Sequence, residues 1–153
     1  MVPSPDPVDI VESAEIRRLV DGGTHVVCAG GGGIPVKPDG TALQGVEAVV
    51  DKDLTSALLA EVLDAALLVI LTDVPFAYRA FDSDDPVPIE ETTPQSLRSD
   101  LAAGEFGTGS MAPKVEACIQ FVTAGGDRAV ITTPDRLLDG IAGAAGTQVR
   151  PTQ

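Results

Sequence analysis

Between Gly45 and Val74 an amphipathic helical stripe runs almost directly into an unbroken apolar strand. Leu54, Ala57, Leu58 and Val62 stand at i, i+3, i+4 and i+8, one face of a helix with 3.6 residues per turn. After a short break, Leu67 to Leu71 is apolar throughout and ends in Thr72-Asp73. Strands covered by helices on both faces have this continuous character, so the expected unit is a helix feeding a buried parallel strand. Asp51-Lys52-Asp53 stands at the helix entrance and Asp73 lies just past the strand end. Open α/β sheets place ligand chemistry at such positions.

The remaining sequence supplies further units of the same kind. Pro3, Pro5 and Pro7 predict an extended leader. From Asp9 the pattern is helical, with Ile16, Leu19 and Val20 on one face, Arg17 and Arg18 on the other, and Gly22-Gly23 as the stop. His25 to Ala29 is expected to be a short buried strand that breaks into the glycine run Gly30 to Gly33, and Lys37-Pro38-Asp39-Gly40 a turn. The segment from Val74 to Pro94 has two apolar patches around an acidic turn at Asp82-Ser83-Asp84-Asp85, which predicts an exposed β-hairpin or flap. Thr93 with Pro94 predicts a capped helix start. A loop follows from Gly104 to Ser110, then a helix from Pro113 carrying Val115, Cys118, Ile119 and Val122 and stopped by Gly125-Gly126. Arg128 to Thr133 is a second buried strand, Pro134 to Ile141 a last helix, and Thr147 to Arg150 a final strand.

Alternating strands and helices imply an α/β fold with a mainly parallel sheet. The 153 residues are expected to form a single domain, 1–153. No strand precedes the first helix, a pattern expected of the second half of a larger fold. Aromatics are 3% of the chain, with no Trp, so the core must be aliphatic. A net charge of −13 argues against nucleic acid and against anionic membrane surfaces. Cys28 and Cys118 make neither a disulfide framework nor a metal site, and their apolar neighbours predict buried thiols in a reducing compartment. With no apolar signal segment in MVPSPDPVD and no run approaching the ~20 residues of a membrane span, the expected location is the cytoplasm.

Four features carry possible chemistry. Gly30, Gly31, Gly32 and Gly33 follow a predicted strand, where backbone without side chains can approach a phosphate or carboxylate, or simply turn tightly. In Asp51-Lys52-Asp53 the acids suit a helix cap, whereas a cation there opposes the helix dipole unless an anion arrives. Lys114 follows a Gly-rich loop into a helix start, a ready anion site, though a solvated lysine would also stand there. Thr72-Asp73 lies at the carboxyl end of the buried strand, as a ligand edge or a simple turn. His25, the only histidine, is given no role, and no Ser/His/Asp set, metal cluster or basic aromatic patch stands out.

Together these motifs resemble the nucleotide-binding half of the amino acid kinase superfamily and, within it, the carbamate kinase family. The matching residues are Pro3-Ser4-Pro5, Ala29 to Val36 (AGGGGIPV), Gly45 to Leu54 (GVEAVVDKDL), Leu71 to Val74 with Tyr78, Gly109-Ser110-Met111 with Pro113 to Ala117, and Gly146-Thr147. They cover nearly all of the chain in the family's order. The resemblance implies a three-layer αβα sandwich around a largely parallel sheet, usually in a homodimer. It also implies reversible phosphoryl transfer between ATP and carbamate, giving ADP and carbamoyl phosphate with Mg²⁺, which serves arginine breakdown in fermentative bacteria.

Carried over by motif, Lys52 and Lys114 neutralise the transferring phosphoryl group and Asp53 orients them. Gly30 to Gly33 line the phosphates, Thr72, Asp73 and Tyr78 border the nucleotide, and Gly109, Ser110 and Met111 lie on its adenosine side. Ala112 stands where the family has a second glycine, and Phe76 where it has a small residue. The family's first half, with its own GGNAL-type loop, has no counterpart here. The expectation is therefore a truncated carbamate kinase, inactive alone, or else a non-catalytic or split nucleotide-binding remnant that requires a partner half.

Overall fold

The computed structural model describes residues 2–81, 83–106 and 110–152. In chain order, a leader precedes helix α1 (Ser13–Asp21), strands β1 (Val36–Asp39) and β2 (Ala42–Gly45), helix α2 (Lys52–Val62) and strand β3 (Leu67–Leu71). Strands β4 (Ala77–Arg79), β5 (Val87–Ile89) and β6 (Glu91–Thr92) lead to helices α3 (Pro94–Ala102) and α4 (Met111–Thr123). Strand β7 (Arg128–Thr132), a 3₁₀ turn at Pro134–Arg136, helix α5 (Leu137–Ala142) and strand β8 (Thr147–Val149) complete the chain.

The central sheet has the order β3-β7-β8-β6, with β3 parallel to β7, β6 parallel to β8, and β7 antiparallel to β8. Side chains alternate across β7. Ala129 and Ile131 join the core beneath α2 and α4, while Val130 and Thr132 meet α5 at Gly140. All four are fully buried. Burial on both sides of one strand produces the three layers, with α2 and α4 over one face and α5 over the other. The core is aliphatic apart from Phe106 and Phe121, and α4 supplies most of it through Val115, Cys118, Ile119, Phe121 and Val122. The helix–strand unit from Lys52 to Leu71 forms as expected, but β3 is a sheet edge. Leu68 and Ile70 are buried there, Leu67 and Val69 half-buried, and Leu71 exposed, so coverage on both faces belongs to β7.

The predicted hairpin is β4–β5, paired antiparallel with Ala77 opposite Ile89. Its base is fixed by the buried Thr147 hydroxyl, which donates to the Ile89 carbonyl (2.6 Å) and accepts the Ala77 N–H (2.8 Å). The Thr93 side chain caps α3 by accepting the Ser96 N–H, with Pro94 in the first turn, as the sequence predicts.

Five expectations are corrected. His25 to Ala29 forms no strand: nothing among the described residues pairs with it, and Val27 is fully exposed. Ala29 adopts a left-handed φ of 66°, and local bonds from Gly30 N–H to the Cys28 carbonyl and from Gly32 N–H to the Ala29 carbonyl curl the backbone instead. Cys28 is consequently only half-buried, whereas Cys118 is buried. Lys37-Pro38-Asp39 belongs to strand β1, with the turn confined to Gly40-Thr41. Asp39 and Ala42 close that turn, so Pro38 falls on the next, non-hydrogen-bonded pair, where its missing N–H costs nothing. Gly40 takes the positive φ (61°) that such a two-residue turn requires. Helix α1 begins at Ser13 rather than Asp9, and α4 at Met111, two residues before Pro113.

Candidate functional site

The three charges at the start of α2 have separate tasks. Asp51 is the N-cap: its side chain accepts the N–H groups of Asp53 (2.7 Å) and Leu54 (3.3 Å), donors that an uncapped helix leaves unpaired. Asp53, two residues on, turns inward and is 7% exposed. Its Oδ2 lies 2.9 Å from Lys114 Nζ and 3.4 Å from Lys52 Nζ. The Lys114 side chain is as buried as that of Asp53, whereas the Lys52 side chain is 54% exposed.

Lys114 is the fourth residue of α4, near a helix end whose dipole disfavours a cation. A buried ammonium in that position needs a counter-charge, and Asp53 supplies it from the facing helix. One carboxylate thus holds two ammonium groups in a chain of net charge −13. Ser110, the N-cap of α4, makes no side-chain capping bond, so the first turn of that helix has no side-chain acceptor from its own cap. Below the pair, burial pushes the Cys118 thiol well above its ordinary range, and the nearby Asp53 charge adds to the effect. Cys118 is therefore a neutral core group.

The glycine run divides as well. Gly32 is buried, and a Cβ there would stand 1.9 Å from the Val50 carbonyl oxygen, so only glycine permits this approach to the residues that lead into Asp51. Gly30, Gly31 and Gly33 are exposed, with open space where a side chain would be. The buried Thr55 hydroxyl lies 2.8 Å from the Gly32 carbonyl and ties the run to α2. Sequence reasoning overlooked Thr55; its only signal was a polar β-branched residue inside an otherwise apolar stripe.

Thr72 and Asp73 stand at the carboxyl end of β3 as expected. The Thr72 N–H donates to the Thr132 carbonyl (2.9 Å), and its hydroxyl donates to Asp73 Oδ1 (3.1 Å). Tyr78 is half-buried on β4, edge-on to Phe76 at 6.2 Å between ring centroids and tilted against Phe81 at 6.3 Å. Met111 and Ala112 are half-buried against the hydrophobic core, and Gly109 lies outside the described residues. Among the described residues no hydrogen bond or ion pair joins Thr72, Asp73, Tyr78 or Met111 to the two lysines. The structure brings together Lys52, Asp53, Lys114 and, through Thr55 and Val50, the glycine run.

Two helix starts that converge on a lysine-bearing carboxylate at one end of a three-layer sheet suit a phosphate-handling α/β protein. A sequence profile of the amino acid kinase family matches residues 2–133, and the chain belongs to that family. Curated relatives that it matches include carbamate kinases. That of Halobacterium salinarum is 52% identical over 151 residues, which are 99% of this chain and 49% of the relative. That of Pyrococcus horikoshii is 42% identical over 99% of this chain and 48% of the relative. A solved structure of Giardia lamblia carbamate kinase bound to AMP-PNP superposes with a TM-score of 0.94 at 39% identity, covering 99% of this chain and 48% of that one. The chain therefore spans about half the length of the curated relatives it matches.

Proposed function

We propose that this chain carries the nucleotide-phosphate side of a carbamate kinase, which transfers a phosphoryl group reversibly between ATP and carbamate to give ADP and carbamoyl phosphate. The observation behind this reading is the buried Asp53 carboxylate holding Lys52 and Lys114 at two helix starts beside the glycine run. Phosphoryl transfer needs positioning and charge neutralisation rather than a covalent nucleophile, and these residues are suited to both. Lys114 is fixed by burial. Lys52, mostly in water, is free to follow the phosphoryl oxygens, and Asp53 keeps the two ammonium groups in place between turnovers. Gly30, Gly31 and Gly33 offer backbone to the phosphates, and Thr72, Asp73, Tyr78, Gly109, Ser110 and Met111 border the nucleotide.

Among the described residues no group of three or more His, Cys, Asp or Glu forms a cation cage. Mg²⁺ in this reading arrives on the nucleotide, coordinated chiefly by phosphate oxygens, as this ion commonly is. A cytoplasmic location and a part in arginine breakdown belong to the same proposal. So does association. Val27 and Ile34 are exposed on backbone that is unpaired among the described residues, and Leu71 is exposed on the edge strand, apolar groups that the remaining half of the fold or a second copy would cover. The rest of the carbamate site would come from that half.

On this reading the 153-residue chain binds ADP weakly and makes no ATP from carbamoyl phosphate and ADP unless that half is supplied. Calorimetric titration with ADP tests the site: Lys114→Ala should abolish binding while circular dichroism stays native. Unchanged ADP binding in Lys114→Ala would refute the assignment, and brisk ATP formation by the chain alone would refute the need for a second half.

A further inference from the structure

We propose that Thr55 is a positioning residue that registers the glycine run on the start of α2, so that the open glycines and the two ammonium groups meet a phosphate as one unit. The inference deepens the phosphate-binding reading above and rests on it. Thr55 is 5% exposed and sits on the same helix as Lys52 and Asp53, within its first two turns. Its hydroxyl lies 2.8 Å from the Gly32 carbonyl and 3.0 Å from that of Asp51. The Asp51 oxygen already accepts the Thr55 N–H at 3.0 Å, as the first bond of the helix. The Gly32 oxygen, among the described residues, has no other donor.

A single hydroxyl proton therefore decides whether the glycine run is bonded to the helix. The fit of Gly32 on Val50 sets how closely the two approach, and the hydroxyl sets where the loop sits along the helix. Gly32 is the one member of the run spent on this contact, which leaves Gly30, Gly31 and Gly33 exposed. Valine at position 55 would fill nearly the same volume but leave the Gly32 carbonyl buried without a donor, and the loop would then move to find water.

The test compares wild type, Thr55→Val and Thr55→Ser as the full 153-residue chain, by amide hydrogen exchange followed with mass spectrometry and by ADP titration. Thr55→Val should speed exchange of the Gly30 and Gly32 amides, the bonded donors of the loop, about tenfold, the effect expected for one lost bond to a buried carbonyl, while exchange in α4 and β7 stays unchanged. It should weaken ADP binding by about the same factor, and Thr55→Ser should restore both. Loop exchange in Thr55→Val identical to wild type would overturn the proposal. So would an equal rise in every element, since that marks a general loss of stability. If the exchange pattern appears as expected but wild type binds no ADP, the loop registration stands and the phosphate reading fails.

Discussion

Replacing Asp53 by Asn removes the charge that holds two lysines while leaving volume and one acceptor oxygen in place. The Lys114 and Asp53 side chains retain only 8% and 10% of their exposure, and they meet at 2.9 Å. Breaking such a pair from one side strands an ammonium in the interior, at a cost of about 3–5 kcal/mol. Asn still accepts a hydrogen bond, so the lower end applies. For a chain of this size each kcal/mol moves the thermal midpoint by about 2–4 °C, and Asp53→Asn should therefore melt roughly 6–12 °C below wild type.

Two companions separate charge from packing. Lys52→Met should change stability by no more than about 0.5 kcal/mol, because that side chain is already half in water. Asp53→Asn combined with Lys114→Met removes both buried charges and should recover most of the loss. Thermal melting and urea unfolding at pH 7, both followed by circular dichroism and the urea series with a common slope, measure all four proteins. A midpoint for Asp53→Asn within 2 °C of wild type, or a double variant no more stable than the single, would refute the view that this pair is a buried, mutually dependent unit.

Other positions offer sharper contrasts. Gly32→Ala should disorder the glycine run and abolish ADP binding, since its Cβ has no room against Val50, whereas Gly31→Ala, facing open space, should melt within a degree or two of wild type. The raised Cys118 pKa gives a pH dependence of defined sign: the folded thiol stays neutral while the unfolded one ionises above about pH 8.5, so its contribution is intact below that pH and lost as pH rises. Subtracting the Cys118→Ala profile should isolate a slope approaching 1.4 kcal/mol per pH unit above that point, and parallel profiles would exclude it. Thr93→Ala should cost about 1 kcal/mol through the lost cap of α3, read from the same urea midpoints.

Where a sequence signal is local and geometric, it survives folding here. The Leu54–Ala57 stripe, the Leu67–Leu71 run, the Thr93-Pro94 helix start and the β4–β5 hairpin all appear in place, although Asp82 of its expected acidic turn lies outside the described residues, because each depends on period or dihedral preference within a few residues. His25 to Ala29 failed because a strand is defined by its neighbour, and apolar residues alone do not provide one. Strand β6 was invisible because two residues, Glu91 and Thr92, carry no period; pairing with β8 makes them a strand. Within the site, residue type marked Lys52 and Lys114 separately and the family resemblance joined them with Asp53, but neither showed the division of labour. That Asp51 caps while Asp53 turns inward depends on where α4 packs, and that only one glycine touches Val50 depends on a contact between separate segments.

The ion pair between Asp53 and Lys114 joins residues 61 positions apart. Closing a flexible loop of that length costs on the order of 3–4 kcal/mol of chain entropy, which one bond does not recover. The two lysines are therefore gathered only once α2 and α4 have docked over the sheet. Helices that have formed without docking would hold the same residues and none of the site. On the proposed function, affinity for a phosphate ligand would report native topology: it should be the last property recovered on refolding and the first lost on partial unfolding.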